Sequence, residues 1–397
     1  MEKNKILVGD NIETLKTLPD NSIDCCITSP PYYGLRDYGT GKWIGGDPNC
    51  PHYRTSHFST HTSTGHKGMY DYGAQGAVSD GIYKTVCPKC GAIREDKQVG
   101  LEETPEEYID RLVSIFREVK RALKDDGTLW VNIGDSYNSS GHSRNEDGSI
   151  TFSEKAQKQS TNKGSYDGQF NKKVVSSCKP KDLIGVPWML AFALRADGWY
   201  LRSDIIWQKP NPMPESVRDR CTKSHEYIFM FSKNPNYYFD YEAIQEPCNI
   251  QNPSNHIKFG GEKYPDNVEN RIYSGNEYKP RTKNCQYDGQ KPNSMHVNRE
   301  NGGKDKQYLV RNKRDVWTIN PSTFKGAHFA TFPEELVANC LLAGCPKDGI
   351  VLDPFFGSGT VGVVAKKHHR NYIGCELNEE YVKMAEKRLK STRKSLF

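Results

Sequence analysis

Apolar residues of this chain gather into short blocks separated by long polar stretches, and the period inside each block identifies its element. Residues 6–8 and 23–27 read as strands, with a short helix over 12–18 between them. From residue 34 to about 100 Gly, His, Ser, Thr and Tyr dominate without a sustained period, which marks an irregular insertion. Order returns at Thr104, which caps a helix; Pro105 suits its first position and Glu107 completes a capping box. Tyr108, Leu112, Ile115, Phe116, Val119 and Leu123 recur at helical spacing, Gly127 is expected to end the helix, and 128–135 reads as a buried strand.

Residues 136–180 are polar and aperiodic, a second insertion. A helix over 183–196 precedes two strand-like runs, YLRSDIIWQKP and EYIFMFSK. From 241 to 325 the period is lost again while Asn, Lys, Arg, Tyr and Gly interleave. The last block is dense: a helix over 332–343, a strand over 349–353, a Gly-rich turn, a helix, the strand NYIGCEL and a closing helix. Helix and strand alternate, which predicts an α/β fold around a mostly parallel sheet.

A chain of 397 residues suffices for one large α/β domain with insertions or for two ordinary domains. At 35% hydrophobic residues it is more polar than most globular chains, which favours long surface loops over a second compact core. The net charge of +6 permits a polyanionic partner without requiring one. No stretch approaches the roughly 18 apolar residues that span a bilayer, and the first residues lack the apolar centre of a secretory signal, so a cytosolic protein is expected. Thiols stay reduced there, so the 12 cysteines are expected as core fillers or metal ligands. Cys25, Cys26, Cys340 and Cys345, set in apolar runs, read as core.

Two segments carry candidate chemistry. In IVLDPFFGSGTVGVVAKK a β-branched strand runs through Asp353 and Pro354 into Phe355, Phe356, Gly357, Ser358, Gly359 and Thr360, and then into an apolar helix. Glycines in such a strand-to-helix turn let a ligand approach bare backbone. The turn departs from the dinucleotide fingerprint, and its aromatic pair suits packing on a cofactor better than cradling pyrophosphate. The next strand ends in Glu376, about 20 residues on, where Rossmann-like folds place a carboxylate on ribose hydroxyls.

The second segment is Ser29-Pro30-Pro31-Tyr32, directly after the strand IDCCIT and so at a carboxyl end, where open α/β sheets place ligands. Two prolines fix φ and make a rigid shelf. Such a shelf aims the Ser29 hydroxyl and the Pro30 carbonyl as acceptors toward an amino group, while Tyr32 offers a ring for a base to stack on. An exocyclic amine is a poor nucleophile because its lone pair is delocalised into the ring. Accepting both its hydrogens favours a tetrahedral nitrogen that can attack a sulfonium methyl in line.

With both segments in this order, the chain resembles the amino-specific DNA methyltransferases of the beta arrangement, in which the base-binding half comes first and the cofactor half last. The resemblance implies a circularly permuted Rossmann-like fold for S-adenosylmethionine-dependent methyl transfer, with helices on both faces of a mostly parallel sheet that has one antiparallel strand, plus irregular insertions. It makes Ser29, Pro30, Pro31 and Tyr32 the catalytic tetrapeptide, and Phe355, Gly357 and Gly359 the cofactor loop, with Asp353, Ser358 and Thr360 in the same turn. It makes Glu376 the ribose acid and Asp10 the acid near the cofactor's adenine, and 326–333 resembles the segment that precedes the cofactor loop. The serine form of the tetrapeptide is commoner in cytosine-N4 enzymes and the aspartate form in adenine-N6 enzymes, so cytosine N4 is the expected target and adenine N6 the alternative. The implied partner is duplex DNA, with room for a companion restriction nuclease in a bacterial or phage-encoded system. RNA stays open, since only contacts to the 2′-hydroxyl would tell the polymers apart.

On this reading residues 1–240 are the catalytic half with insertions at about 44–100 and 136–180, 241–325 a target-recognition region, and 326–397 the cofactor half. In 241–325, Lys279, Arg281, Lys283 and the cluster from Arg311 to Arg314 stand among Tyr273, Tyr278 and Tyr287, a mix suited to phosphate and base-edge contacts or to a solvated loop. The first insertion is bracketed by Cys50, His52, Cys87 and Cys90, whose three thiols and imidazole form a candidate site for one structural zinc. Against it stand the short C-x-H spacing, the 34-residue gap between His52 and Cys87, and the competing His57, His61 and His66.

Overall fold

The structure, a computed structural model, describes residues 1–34, 40–52, 86–138, 177–212, 214–247, 310–321 and 333–392. His57, His61, His66, Tyr273, Tyr278, Lys279, Arg281, Lys283, Tyr287 and the segment 326–332 therefore lie outside the described residues. The chain forms two units, Met1–Ile244 with Lys313–Phe397, and Gln245–Asn312.

The first unit is built on an eight-stranded sheet of order β1-β12-β11-β2-β5-β7-β6-β10. Its strands are β1 (Lys5–Val8), β2 (Ile23–Thr28), β5 (Leu123–Ile133), β6 (Tyr200–Gln208), β7 (His225–Ser232), β10 (Val316–Thr318), β11 (Ile350–Asp353) and β12 (Asn371–Glu376). β7 runs antiparallel to both β5 and β6, and the other pairings are parallel. This is the sheet that the resemblance implied.

Side chains on neighbouring strand residues enter opposite cores, as a period of two requires. Cys26, Leu129, Val131, Ile133, Leu352 and Ile373 pack with α1 (Asn11–Lys16), α2 (Pro105–Ala122) and α3 (Val186–Ala196). Cys25, Ile27, Trp130, Ile228, Met230 and Val351 pack with α4 (Glu334–Gly344), α5 (Thr360–Lys367) and α6 (Glu379–Ser391). The helices of the first half thus cover one face and those of the last block the other. Burial on both faces explains why the central strands read as continuous apolar runs. Cys25, Cys26, Cys340 and Cys345 are buried in these cores, and burial pushes their thiols well above the ordinary range.

α2 carries the expected capping box: Glu107 N donates to Thr104 Oγ1 at 3.2 Å, and Thr104 N donates to Glu107 Oε2 at 3.3 Å. It ends earlier than expected, at Ala122. Gly127 does not stop it but lies inside β5, where a bulge interrupts the register: Ile23 pairs with Leu123 and Cys25 with Thr128. The chain passes so close to β2 here that a Cβ on Gly127 would stand 3.2 Å from Asp24 O. That close approach explains the glycine.

Three-residue strands were not visible in the sequence. β3 (Lys42–Ile44) and β4 (Ile93–Glu95) pair antiparallel in the first insertion, and β10, within the stretch expected to be aperiodic, adds to β6 through Trp317 opposite Trp207. In the second unit, β8 (Glu246–Pro247) pairs antiparallel with β9 (Val310–Arg311). Among the described residues no helix is long and apolar enough to cross a membrane.

Candidate active site and metal cluster

The parallel strands of the first unit end at one edge of the sheet, and β7, being antiparallel, begins there. Val8 pairs with Glu376, Thr28 with Val131 and Ile133 with Tyr227. Asp10, Ser29, Asp353 and Glu376 therefore all arrive at this edge, together with Asn132 and Glu226, as strand-end placement of ligands requires.

At the β11 end, the turn 354–359 is held by its own backbone. Phe356 N donates to Cys375 O and Gly359 N to Phe356 O, both at 2.9 Å, and Gly357 N donates to Glu376 Oε2 at 2.7 Å. Gly357 and Gly359 have φ of 51° and 79°, the left-handed region that glycine enters without strain. They differ in surroundings: a Cβ on Gly359 would meet Ala385 Cβ at 2.9 Å, whereas one on Gly357 would find only Phe355 O at 3.9 Å. The space before Gly357 is open, as a cradle for a ligand needs.

The two phenylalanines separate. Phe356 is buried, its ring stacked on Tyr372 and seated where a Cβ on Gly374 would collide with it at 2.3 Å, so it is a core residue. Phe355 is half-buried and alone remains at the site. Ser358 and Thr360 turn their hydroxyls to Arg388 of α6, whose Nη1 donates to Ser358 O at 2.7 Å, Ser358 Oγ at 2.8 Å and Thr360 Oγ1 at 3.2 Å. Through these bonds Ser358 and Thr360, both in the turn expected to bind the cofactor, hold the loop against α6.

Three acids surround this turn. Glu376 accepts from Gly357 N and from Asn378 N, and burial raises its pKa. Asp353 accepts from Thr28 Oγ1 at 2.6 Å and Phe355 N at 3.0 Å, and burial lifts its carboxyl to about 7. Asp10 caps α1 through Ile12 N and Glu13 N, and lies 3.6 Å from Arg111. Gly9 N donates to Glu376 O at 2.9 Å, so the β1 end that carries Asp10 is fastened to the strand that carries Glu376.

At the β2 end, Ser29-Pro30-Pro31-Tyr32 is fixed from both sides. Tyr108 of α2 donates its hydroxyl to Pro31 O at 2.8 Å. The Tyr32 ring lies against Gly134, where a Cβ would come within 2.6 Å of it. Its hydroxyl donates to Glu226 Oε2 at 2.6 Å. Burial, then the Glu226 charge, holds the Tyr32 phenol well above its ordinary pKa, so it stays a neutral donor. The Ser29 hydroxyl donates to Asn132 Oδ1 at 3.4 Å.

Asn132 and Glu226 escaped the sequence reading. The available signal was a polar residue inside each of two otherwise apolar strands, WVNIGD and HEYIFMF. Such residues are buried only when hydrogen-bonded. Of the basic cluster at 311–314, Arg311 donates to Glu246 Oε1 at 2.8 Å in the second unit, and in the first unit Lys313 lies 5.4 Å from the Trp317 ring centroid.

In the first insertion the fold brings together the four residues singled out for a metal. The ligand atoms of Cys50, His52, Cys87 and Cys90 all lie within 4.8 Å of one another. Cys50 Sγ is 3.7 Å from Cys87 Sγ, too far for a disulfide, and Cys90 Sγ is 3.5 Å from His52 Nδ1. Tetrahedral bonds to zinc would set sulfurs about 3.8 Å apart and sulfur and nitrogen about 3.5 Å apart. The Cys50–Cys87 and Cys90–His52 pairs match those spacings. His52 is stacked on Trp43 of β3, with centroids 4.4 Å apart, and Gly91 N donates to Cys87 O to close the Cys87–Cys90 knuckle.

Comparison with known proteins places this arrangement. The DNA methylase family profile matches residues 23–387. The type II methyltransferase M.Cfr9I of Citrobacter freundii is 38% identical over 382 residues, 96% of this chain and 86% of that protein. M.SmaI of Serratia marcescens is 38% identical over 385 residues, 97% of this chain and 90% of that protein. Among solved structures, the PvuII DNA methyltransferase (cytosine-N4-specific) has the same fold, with a TM-score of 0.51 at 15% identity over 98% of this chain and 86% of its own. Matched by the family profile from the second strand to the last helix, and by these relatives almost end to end, the chain belongs to the N6/N4 DNA methylase family and is a DNA methyltransferase.

Proposed function

We propose that the enzyme transfers a methyl group from S-adenosylmethionine to N4 of a cytosine drawn out of duplex DNA. The observation that carries this reading is the juxtaposition, at one sheet edge, of the Ser29 hydroxyl on a pinned Pro-Pro shelf with a glycine turn closed on Glu376. The serine form of the tetrapeptide favours cytosine. Residues 1–240, 241–325 and 326–397 act as catalytic half, target-recognition region and cofactor half.

S-adenosylmethionine supplies a sulfonium-bound electrophilic methyl group. Glu376 would accept hydrogen bonds from its ribose hydroxyls, Asp10 would lie at its adenine, and Phe355 with the bare backbone at Gly357 would line its site; Asp353 and Arg388 keep that turn in shape. Ser29 Oγ and Pro30 O accept the two hydrogens of the exocyclic amine, and the Tyr32 ring backs the base. So held, the amine nitrogen would direct its lone pair at the methyl group, which would leave its sulfur for the nitrogen, and the surplus proton would pass from the nitrogen to water. This is catalysis by positioning and electrostatics, without a covalent enzyme intermediate. The base reaches the shelf by flipping, and contacts to phosphate offset an unstacking cost of a few kcal/mol. Cys50, His52, Cys87 and Cys90 would hold one structural zinc, which would add folding free energy to the first insertion. The type II designation of the Citrobacter and Serratia relatives supports a companion restriction nuclease that reads the same DNA sequence.

The test is to incubate the enzyme with mixed-sequence duplex DNA and S-adenosylmethionine, digest to nucleosides and separate N4-methylcytosine from N6-methyladenine by mass spectrometry. N4-methylcytosine is expected. N6-methyladenine would keep the mechanism and overturn the base.

A further inference from the structure

The polar cluster behind the tetrapeptide has an arrangement that packing alone does not require. Glu226 Oε2 accepts from both Tyr32 Oη, at 2.6 Å, and Asn132 Nδ2, at 3.2 Å. Glu226 Oε1 is taken by the ammonium of Lys209, which itself lies 4.4 Å from the Trp207 ring centroid. Asn132 Nδ2 makes a second bond, to Tyr227 O at 3.1 Å. Both amide hydrogens of Asn132 are thereby spent. Its Oδ1 is left toward Ser29 Oγ, at 3.4 Å, and Tyr32 Oη, at 3.3 Å.

The reverse orientation of the Asn132 amide would press its oxygen against two acceptors, the Glu226 carboxylate and the Tyr227 carbonyl. It would also turn the NH2 group toward Ser29. A carboxylate has no hydrogen to relieve that clash, so Glu226, together with the Tyr227 carbonyl, selects one orientation of the amide. The choice matters at Ser29. With Oδ1 facing it, the serine hydroxyl gives its single hydrogen to Asn132, and its oxygen lone pairs are left for another donor. With NH2 facing it, one lone pair of the serine oxygen is taken and its hydrogen is released from Asn132, to turn to the Tyr32 hydroxyl or against the N–H of an incoming amine.

We infer that Glu226 is a positioning residue for the target base: by locking the Asn132 amide, it makes Ser29 a pure hydrogen-bond acceptor toward the exocyclic amine. The inference rests on the proposed role of Ser29. Lys209 belongs to the same device, since it engages one carboxylate oxygen and leaves the other for Tyr32 and Asn132.

Glu226→Gln weakens the lock, because its own amide can donate to Asn132 Oδ1 and leaves only the Tyr227 carbonyl against the reversed orientation. Single-turnover methyl transfer into mixed-sequence duplex DNA is expected to slow roughly 10- to 100-fold, with affinity for S-adenosylmethionine, read by calorimetry, within about twofold of wild type. Asn132→Asp in the Glu226→Gln background is the decisive variant. A carboxylate at 132 can only accept, so Ser29 regains its orientation and the rate recovers at least about fivefold over Glu226→Gln alone. A residue that merely supports packing predicts the opposite, a double variant no faster than the single one, and that result overturns the inference. Should Glu226→Gln fail to bind the cofactor, Glu226→Asp serves: the shortened carboxylate no longer reaches Asn132 and turnover falls, while an undiminished rate counts against the proposal. Ser29→Ala separates the two levels. If it keeps the full rate, the reading of Ser29 itself fails; if it is slow while Glu226→Gln is fast, only the role of Glu226 fails.

Discussion

Gly357 donates its backbone N–H to Oε2 of Glu376 at 2.7 Å, so the turn that leaves β11 and the acid that ends β12 are a single hydrogen-bonded unit. Glu376 also accepts from Asn378 N at 2.8 Å, one donor to each oxygen, with lone pairs remaining on both for ribose hydroxyls. Glu376→Ala removes those acceptors and frees the turn together. Its dissociation constant for S-adenosylmethionine is expected to rise at least tenfold, about 1.4 kcal/mol, while turnover at saturating cofactor stays within about threefold of wild type. Calorimetry and single-turnover rates check this; unchanged affinity would move the cofactor away from Glu376.

The two glycines of the turn are expected to fail in different ways. Gly359→Ala meets strain twice, through a φ of 79° and a Cβ only 2.9 Å from Ala385 Cβ, and should cost about 1–3 kcal/mol of folding stability. Gly357→Ala meets only the left-handed backbone penalty of about 1 kcal/mol, because its Cβ points into open space. That open space is where the cofactor is proposed to sit, so Gly357→Ala should weaken binding more than it weakens the fold. Denaturant unfolding with and without S-adenosylmethionine separates the two effects.

What the sequence showed and what it hid divides along physical lines. The strand–turn–helix–strand around Gly357, the Thr104 capping box and the strand before Ser29 were legible, because each rests on local periodicity or on backbone chemistry that only certain residues allow. β3, β4 and β10 were not, since a strand of three residues is too short to establish an alternation. Gly127 was misread because close backbone approach and a helix stop both call for glycine, and only the Cys25–Thr128 register distinguishes them. The separation of Phe355 from Phe356 depends on Gly374, one strand away, and the bonds of Asn132 to Glu226 join β5 to β7, contacts that no local pattern encodes.

Asp353 predicts a pH dependence of stability. Both its donors address Oδ1, so in the neutral form Oδ2 carries the proton. Burial raises its pKa from 3.8 to about 7 in the fold, so the folded protein binds this proton more tightly than the unfolded chain does. Its stabilising contribution is complete below pH 3.8 and is lost as pH climbs through about 7, in total about 4 kcal/mol at most. Glu376, also raised by burial, acts in the same direction. Asp353→Asn keeps Oδ1 as acceptor for Thr28 and Phe355 and removes the titration. Urea unfolding at about pH 5 and about pH 8 should show a smaller loss in the variant than in wild type, and equal losses would place the titration elsewhere.

The cluster in the first insertion makes the last prediction. Cys50 and His52 come from the chain after β3, and Cys87 and Cys90 from the turn before β4, so a metal bound by all four would tie together the two ends of a segment of 34 intervening residues. Among the described residues the β3–β4 ladder joins these ends through three residue pairs, and its Ile44 and Ile93 are both exposed. A site of this kind contributes folding free energy directly. Protein purified without chelator is expected to hold about one zinc per chain by elemental analysis, and Cys87→Ser or Cys90→Ser to hold almost none. Metal removal should expose the segment between the ligands to limited proteolysis while S-adenosylmethionine binding, which uses none of these four residues, stays unchanged. Zinc retained by both cysteine variants would show that the metal, if bound, is held by other residues, whereas a zinc-free wild-type protein with the same proteolytic resistance would show that hydrogen bonding and the Trp43–His52 stack suffice to close the insertion.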